Sequence, residues 1–278
     1  MIARFFVGVC ITAMFVTAGA CAGSSDEASD TSTTAPSPPP VLRVLVTNDD
    51  GVRAPGIDAL TQALSKLPDT QVTIIAPAEN QSGVGGKVTG GNLVATDATT
   101  KSGLSAKAVK GTPTDAVIYA LDQKGMEQRP HVVLSGVNEG PNLGPVVDLS
   151  GTVGAARSAA RHGIPALAAS QGLGSRVDFD SGVKYALEWL AKHRSELIGS
   201  ALPARVDSLN IPSCESGQIR GMKSLPLGTQ ANGRELFKAN CSSTVSEFND
   251  DVDGFDNGYV TLTESIPIEP AGASQTSG

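Results

Sequence analysis

VLRVLVTNDDGVRAPGI, residues 41–57, decides the fold. Its first seven residues, Val41 to Thr47, are a short β-branched run of the kind that forms a buried strand. A polar loop follows, and then Ile57, Leu60, Leu64 and Leu67 recur at helical spacing before a second apolar run, Val72 to Ala76 (VTIIA). A strand, a helix and a strand in that order make a βαβ unit.

The alternation continues outward from this unit. The pattern predicts strands over Ala106 to Val109, His131 to Ser135 and Ala166 to Ser170, and helices over Pro113 to Leu121 and near Val153 to His162. Because the strands are almost continuously apolar, the sheet is expected to be parallel and covered on both faces, which is an α/β fold. Local chemistry agrees with these boundaries. Thr112-Pro113-Thr114-Asp115 supplies a capping hydroxyl, a proline at the first helical position and a carboxylate three residues past the cap. Gly163 and Pro165 stop the next helix behind Arg161 and His162, where cations suit the carbonyl end. A longer amphipathic helix is expected over Val183 to Leu197, and Val206 to Ile211 reads as the last core strand. Past Pro212 the signals weaken, although Tyr259 to Leu262 (YVTL) is strand-like; extended arms or a small subdomain are expected from about residue 213. No internal repeat is visible.

The chain begins differently. One cation, Arg4, precedes an apolar run from Phe5 to Ala20 that ends on small residues before Cys21. Gly8, Thr12, Thr17 and Gly19 interrupt it and no stop-transfer charges follow, so residues 1–20 are expected to be a signal peptide rather than a spanning helix. The small-small-Cys ending resembles the lipobox of bacterial lipoproteins, which implies a lipidated Cys21 and residence on the outer face of a bacterial membrane. A plain signal peptide with an incidental cysteine is the alternative. Residues 21–40 hold Ser, Thr, Asp, Glu, Ala and Pro with no large apolar side chain, and read as a disordered linker stiffened by Pro38-Pro39-Pro40. About 230 residues, 41–270, remain for one domain of ordinary size. Removing residues 1–20 takes away Arg4 and leaves 20 Lys and Arg against 28 Asp and Glu, a balance of −8. Long nucleic acids are therefore excluded as partners, while small anions are not, since a bound metal ion reverses the local field. Of the four cysteines, Cys10 leaves with the signal and Cys21 takes the lipid. Cys214 and Cys241 remain as an even pair that suits either a disulfide or two buried thiols.

Chemistry collects at three strand ends, where open α/β sheets bind their ligands. The first gives Asn48-Asp49-Asp50-Gly51, the second PAENQSGVGGKVTGG (77–91) and the third GVNEGPNLGPVVDLSG (136–151). Adjacent Asp49 and Asp50 raise each other's pKa unless a cation intervenes. The donors nearby are hard oxygens, which points to Mg²⁺ or Mn²⁺ rather than zinc; an ordinary turn is the competing reading of such a triplet. Gly83, Gly85 and Gly86 precede Lys87, and Ser150-Gly151-Thr152 stands where a helix begins, so backbone N–H groups are available for phosphate. Lys87 reads equally as a solvated charge, and Ser150 and Thr152 equally as helix caps.

Taken in order, VLVTNDDGVRAPGI, APAENQSGVGGKVT, KGTPTDAV, LSGVNEGPNLG and LSGTVGAARSAARHGIPALAAS resemble the survival protein SurE family of metal-dependent 5′/3′-nucleotidases. The resemblance covers Val44 to about Ser170 and returns near Asp253 to Thr263. It implies a Rossmann-like, parallel three-layer α/β sandwich with a C-terminal extension that mediates a homodimer or a higher homo-oligomer. It also implies one divalent metal per subunit on Asp49, Asp50, Ser82 and Asn138, with Asn142 helping to hold the phosphate. Leu149 stands where the family often has Tyr, Ser158-Ala159 where it often has Glu-Gly, and Ser213 to Phe248 departs from the commoner pattern.

Two carboxylates, a hydroxyl and an amide leave positions on an octahedral ion for water and a phosphate oxygen. The expected reaction is hydrolysis of nucleoside monophosphates by a metal-activated water, with Asp49 or Asp50 acting on that water. A covalent aspartyl-phosphate fits less well, since it goes with Asp-x-Asp rather than adjacent aspartates. Two alternatives to the nucleotidase stand: a non-catalytic nucleotide-binding lipoprotein, and a broad acid phosphatase or polyphosphatase.

Overall fold

Leu42–Thr47 forms β1, with Leu42, Val44 and Val46 facing one side of the sheet and Leu45 the other, all fully buried. In a computed structural model describing residues 39–230 and 238–269, this strand lies fourth in a nine-stranded sheet. The expected signal peptide, lipidated Cys21 and the linker up to residue 38 lie outside the described residues, as does residue 270. No helix among the described residues is long and apolar enough to cross a membrane.

The chain runs β1, α1 (Pro55–Leu64), β2 (Thr70–Pro77), β3 (Ala95–Thr99), β4 (Ser105–Val109), α2 (Pro113–Asp122), β5 (Val132–Glu139), a 3-10 helix (Gly144–Asp148), α3 (Gly151–Arg161), β6 (Ala166–Gln171), α4 (Phe179–Ile198), β7 (Val206–Ile211), β8 (Met222–Ser224), α5 (Asp251–Asp256) and β9 (Val260–Ile266). Spatial order is β3-β4-β2-β1-β5-β6-β7-β9-β8. The six strands from β4 to β7 are mutually parallel. Helices α1 and α4 cover one face, packing Ile57, Leu60, Leu64, Trp189 and Leu190 on the sheet. Helices α2 and α3 cover the other with Val117, Val153, Ala156 and Ala159. Three layers result, and β6 and β7 are buried at every position, as strands covered on both faces should be.

The edges depart from a wholly parallel sheet. β3 pairs antiparallel with β4; its sequence, ATDAT, is mostly exposed and lacks the apolar signal that marks the other strands. The expectation that β7 is the last core strand does not hold, because β9 adds antiparallel to it and β8 then pairs with β9. The region from residue 213 is therefore not a separate subdomain. It extends the main sheet, and residues from 39 onward cluster as one unit. Cys214 and Cys241 form a disulfide, with Cα atoms 5.7 Å apart.

The expected cap before α2 is present: the Thr112 hydroxyl accepts from Asp115 N at 3.2 Å, and the Asp115 carboxylate accepts from Thr112 N at 2.8 Å.

Candidate metal and phosphate site

Asp49 and Asp50 lie in the loop that leaves the carboxyl end of β1, an interior strand of the sheet. Asp49 is 3% exposed. Its Oδ1 accepts the Thr152 hydroxyl at 2.6 Å, and its backbone carbonyl accepts from Gln81 N at 2.7 Å. Asp50 Oδ2 accepts from the backbone N–H of Glu139 at 3.1 Å, which ties the β1 loop to the end of β5. The Asp49 carboxylate is thus held at the start of the Gly151–Arg161 helix and Asp50 Oδ2 by the end of β5, with Asp50 Oδ1 left for another partner.

Asn138 reaches the site through an irregularity. Ser135 pairs with Ala168 but Asn138 pairs with Ser170, so three steps along β5 match two along β6. One extra residue restores the parity, and Asn138 points to the same face as Ser135 instead of the opposite one. Its Nδ2 donates to Gly140 O at 2.6 Å, which fixes the amide and leaves Oδ1 as its free ligand atom. Ser82 comes from the loop after β2, where Asn80 Oδ1 accepts from Ser82 N at 2.9 Å.

These residues line a hollow of about 190 Å³. Asp49, Ser82, Gly83, Asn138, Asn142 and Ser150 face it, together with Glu139 and the aliphatic Val146, Leu149 and Leu173. Asp50 and Thr152 join through the hydrogen bonds above, and Gly151 lies against Asp49, where a Cβ would come within 2.8 Å of the Asp49 Cβ. Lys87 is exposed and is not among the lining residues. Gly85 and Gly86 serve packing: a Cβ on Gly154 of α3 would lie 2.3 Å from Gly85 O, so the loop rests directly on the helix. Ser150 caps α3 by accepting from Val153 N at 3.1 Å.

Electrostatics make the aspartates costly on their own. Burial is the main cause that lifts Asp49 above the ordinary carboxylate range, opposed by the Thr152 hydroxyl and by backbone N–H groups that include Thr152 and Gly151. The start of α3 therefore serves Asp49 first. Asp50 is pushed up to about 7, by burial and then by the Asp49 charge, with the Glu139 N–H acting against them. No Lys or Arg forms an ion pair with either among the described residues. A buried and a half-buried carboxylate without a cationic partner among the described residues, flanked by a hydroxyl and an amide oxygen, fit a hard divalent ion.

A second acidic cluster does not compete. His193, Asp207 and Glu264 bring ligand atoms within 4.8 Å of one another, but Asp207 already accepts from Trp189 Nε1 at 2.9 Å, Arg205 at 2.8 Å and Ser265 N at 2.9 Å. It lies at the opposite end of the parallel strands, with a guanidinium in the position a cation would take.

Sequence reasoning missed the supports behind the ligands. Asn210 of β7 clamps Asn142 through both its amide atoms, accepting from N at 2.7 Å and donating to O at 3.1 Å, while Asn142 Nδ2 donates to Ser170 Oγ at 2.8 Å. Asp251 accepts from Gly144 N at 3.0 Å and Gly228 N at 2.7 Å, binding the C-terminal extension to the loop that ends the site. Buried polar residues inside VDSLNI, residues 206–211, were the available signal.

Residues 44–234 match the family described as Survival protein SurE. A 5′-nucleotidase SurE of Rhizorhabdus wittichii is 36% identical over 237 residues, covering 83% of this chain and 86% of its own. One from Methanococcoides burtonii is 40% identical over 181 residues, 61% of this chain and 67% of its own. The crystal structure of SurE protein from Aquifex aeolicus superposes with a TM-score of 0.65 at 29% identity, over 83% of this chain and 95% of that one.

Proposed function

The chain belongs to the survival protein SurE family, and from that premise we propose that it is a hydrolase, a metal-dependent phosphatase that cleaves nucleoside monophosphates at the 5′ or 3′ position. The observation that carries this reading is the pair Asp49 and Asp50, the first buried and the second half-buried, without a cationic partner among the described residues and each held by hydrogen bonds from protein. We assign the ion to Asp49, Asp50, Ser82 and Asn138, and take it to be Mg²⁺ or Mn²⁺ because every donor is a hard oxygen. When bound there, such an ion supplies Lewis acidity toward phosphoryl oxygens and lowers the pKa of water.

The chain's own groups do the positioning. Thr152 holds Asp49, the Glu139 N–H holds Asp50, and Gly140 O turns the Asn138 amide so that its oxygen faces inward. Gly83, Asn142 and the Ser150 hydroxyl border the space a phosphate would take. Val146, Leu149 and Leu173 give the hollow an aliphatic side, suited to the nucleoside and undemanding about the base. That wall lacks hydrogen-bond donors in its side chains, which favours a broad range of phosphomonoesters as the second reading.

The mature protein is proposed to be an exported lipoprotein of the bacterial cell envelope, anchored through Cys21 and assembled as a homodimer or larger. Residues 1–40 of the sequence and the family resemblance support this. The test of function is steady-state hydrolysis of a panel of 5′- and 3′-nucleoside monophosphates, sugar phosphates and short polyphosphate, with Mg²⁺ or Mn²⁺. Preference for nucleoside monophosphates is expected. Tight nucleotide binding with no turnover on any substrate, under either metal, contradicts it.

A further inference from the structure

At the other end of the sheet, where the parallel strands begin, a hollow of about 200 Å³ is lined by Arg43, Arg129 and His131 together with Ile164, Leu197 and Leu202 among others. No carboxylate lines it. In a chain of net charge −7, two arginines lining one hollow that no acid lines is a departure from the average surface. Arg43 lies near the start of β1, six residues before Asp49, so at about 3.3 Å per strand residue the two sites are roughly 20 Å apart.

Both arginines are held by backbone rather than by acids. Arg43 Nε donates to Arg129 O at 2.8 Å, and Arg129 Nη2 donates to His162 O. Neither makes an ion pair among the described residues. Glu127 stands in the adjoining hollow, which also reaches Arg43, and it too makes no ion pair there. The remaining N–H groups of both guanidiniums are therefore already oriented and unspent, which lowers the ordering cost of binding. His131 adds a third donor. Its Nδ1 accepts from Arg43 N at 2.9 Å, so the proton of the neutral ring is on Nε2. Burial first and the Arg43 charge second hold this histidine below its ordinary pKa, in keeping with a positive field that awaits an anion.

We propose that Arg43, Arg129 and His131 form a binding site for a phosphate group, distinct from the metal site, with the apolar wall accommodating whatever organic body the phosphate carries. Planar guanidiniums match phosphate oxygens two at a time, and about 200 Å³ is room enough for a phosphate group. The phosphate is either a free or soluble one, or the headgroup of an anionic lipid. The inference does not rest on the nucleotidase reading, since no residue is shared with the metal site.

The test follows the His131 ring resonance of the full chain by NMR during titration with inorganic phosphate, against chloride at matched ionic strength. The chain has three histidines, and only His131 lines the hollow. A saturable shift specific to phosphate is expected, weakened about tenfold or more in Arg129→Gln. Ser200→Asp is the second variant: Ser200 lines the hollow with φ of 54°, a conformation aspartate tolerates, and the change sets a carboxylate among the donors. It should abolish the shift with the circular dichroism spectrum unchanged. In a parallel arm, the chain is sedimented with phosphatidylglycerol or phosphatidylcholine vesicles. Binding to the former alone, lost in both variants, identifies the headgroup as the source. A His131 resonance that ignores phosphate, together with vesicle binding that ignores both variants, overturns the proposal.

Discussion

Replacing Asp50 by asparagine should stabilise the metal-free protein while removing its response to metal. With no cation present, Asp50 holds its proton up to about pH 7 against an ordinary value of 3.8, because burial and then the Asp49 charge penalise the anion. Between those two pH values the folded chain binds a proton that the unfolded chain releases, so stability is full below about pH 4 and falls as pH rises through 7. At roughly 1.4 kcal/mol per pKa unit, ionising Asp50 in the fold costs about 4 kcal/mol at pH 8. Asparagine keeps the Glu139 N–H bond through Oδ1, as a neutral bond weaker by about 1 kcal/mol than the charge-assisted one. The net gain for Asp50→Asn is thus about 3 kcal/mol, or roughly 6 to 12 °C in melting temperature for a domain of this size. Calorimetric or fluorescence melting in chelator at pH 8 and pH 5 measures it. The variant should melt higher at pH 8, the gap should narrow at pH 5, and added Mn²⁺ should raise the wild type alone. If the variant melts at or below the wild type at pH 8 in chelator, the carboxylate pair is not the strained element described above.

Gly151→Ala should displace Asp49, since its Cβ would fall 2.9 Å from Asp49 Oδ2; turnover is expected to drop about 100-fold with folding retained by circular dichroism, and an unchanged rate would remove Asp49 from the machinery. Thr152→Val deletes the 2.6 Å bond to Asp49 and should weaken metal binding about 10- to 100-fold in calorimetric titration, whereas equal affinity would mean that Asp49 is oriented by something else. The Cys214–Cys241 bridge closes a separation of 27 residues, so Cys214→Ala with Cys241→Ala should cost about 3 kcal/mol in urea unfolding; the reasoning fails if the double variant is as stable as the oxidised protein. Cys21→Ala should leave the membrane fraction on carbonate washing, and its retention there would end the lipid-anchor reading.

Most of the central fold was legible because its strands are buried on both faces and so read as unbroken apolar runs. Leu42 to Thr47, Val132 to Ser135 and Ala166 to Ser170 carry that signal. β3 carried none, being an exposed edge of Ala, Thr and Asp, and β9 was legible as a strand but not as a member of this sheet, since pairing across more than fifty residues leaves no local trace. The proposed ligand residues stand in strand-end loops that resemble a known family. Their geometry was not legible. The bulge that turns Asn138 inward is announced only by Gly136 within a strand, and the placing of Gly151 against Asp49 depends on a contact a hundred residues away. Lys87 follows a glycine run of which Gly83 lines the hollow while Gly85 and Gly86 pack against α3, a division of labour that spacing alone does not reveal.

The most direct measurement is hydrolysis of a nucleoside monophosphate by wild type and by Asn138→Ala, with Mn²⁺ and with chelator. Asn138 offers only Oδ1 to the hollow, so its loss removes a metal ligand without altering charge. Wild-type turnover should vanish in chelator and return with Mn²⁺ at an unchanged circular dichroism spectrum. The variant should lose about 1000-fold, a barrier increase of roughly 4 kcal/mol, and recover part of it at high Mn²⁺. Wild-type activity that persists in chelator, or a variant as fast as wild type, contradicts a metal held by Asp49, Asp50, Ser82 and Asn138.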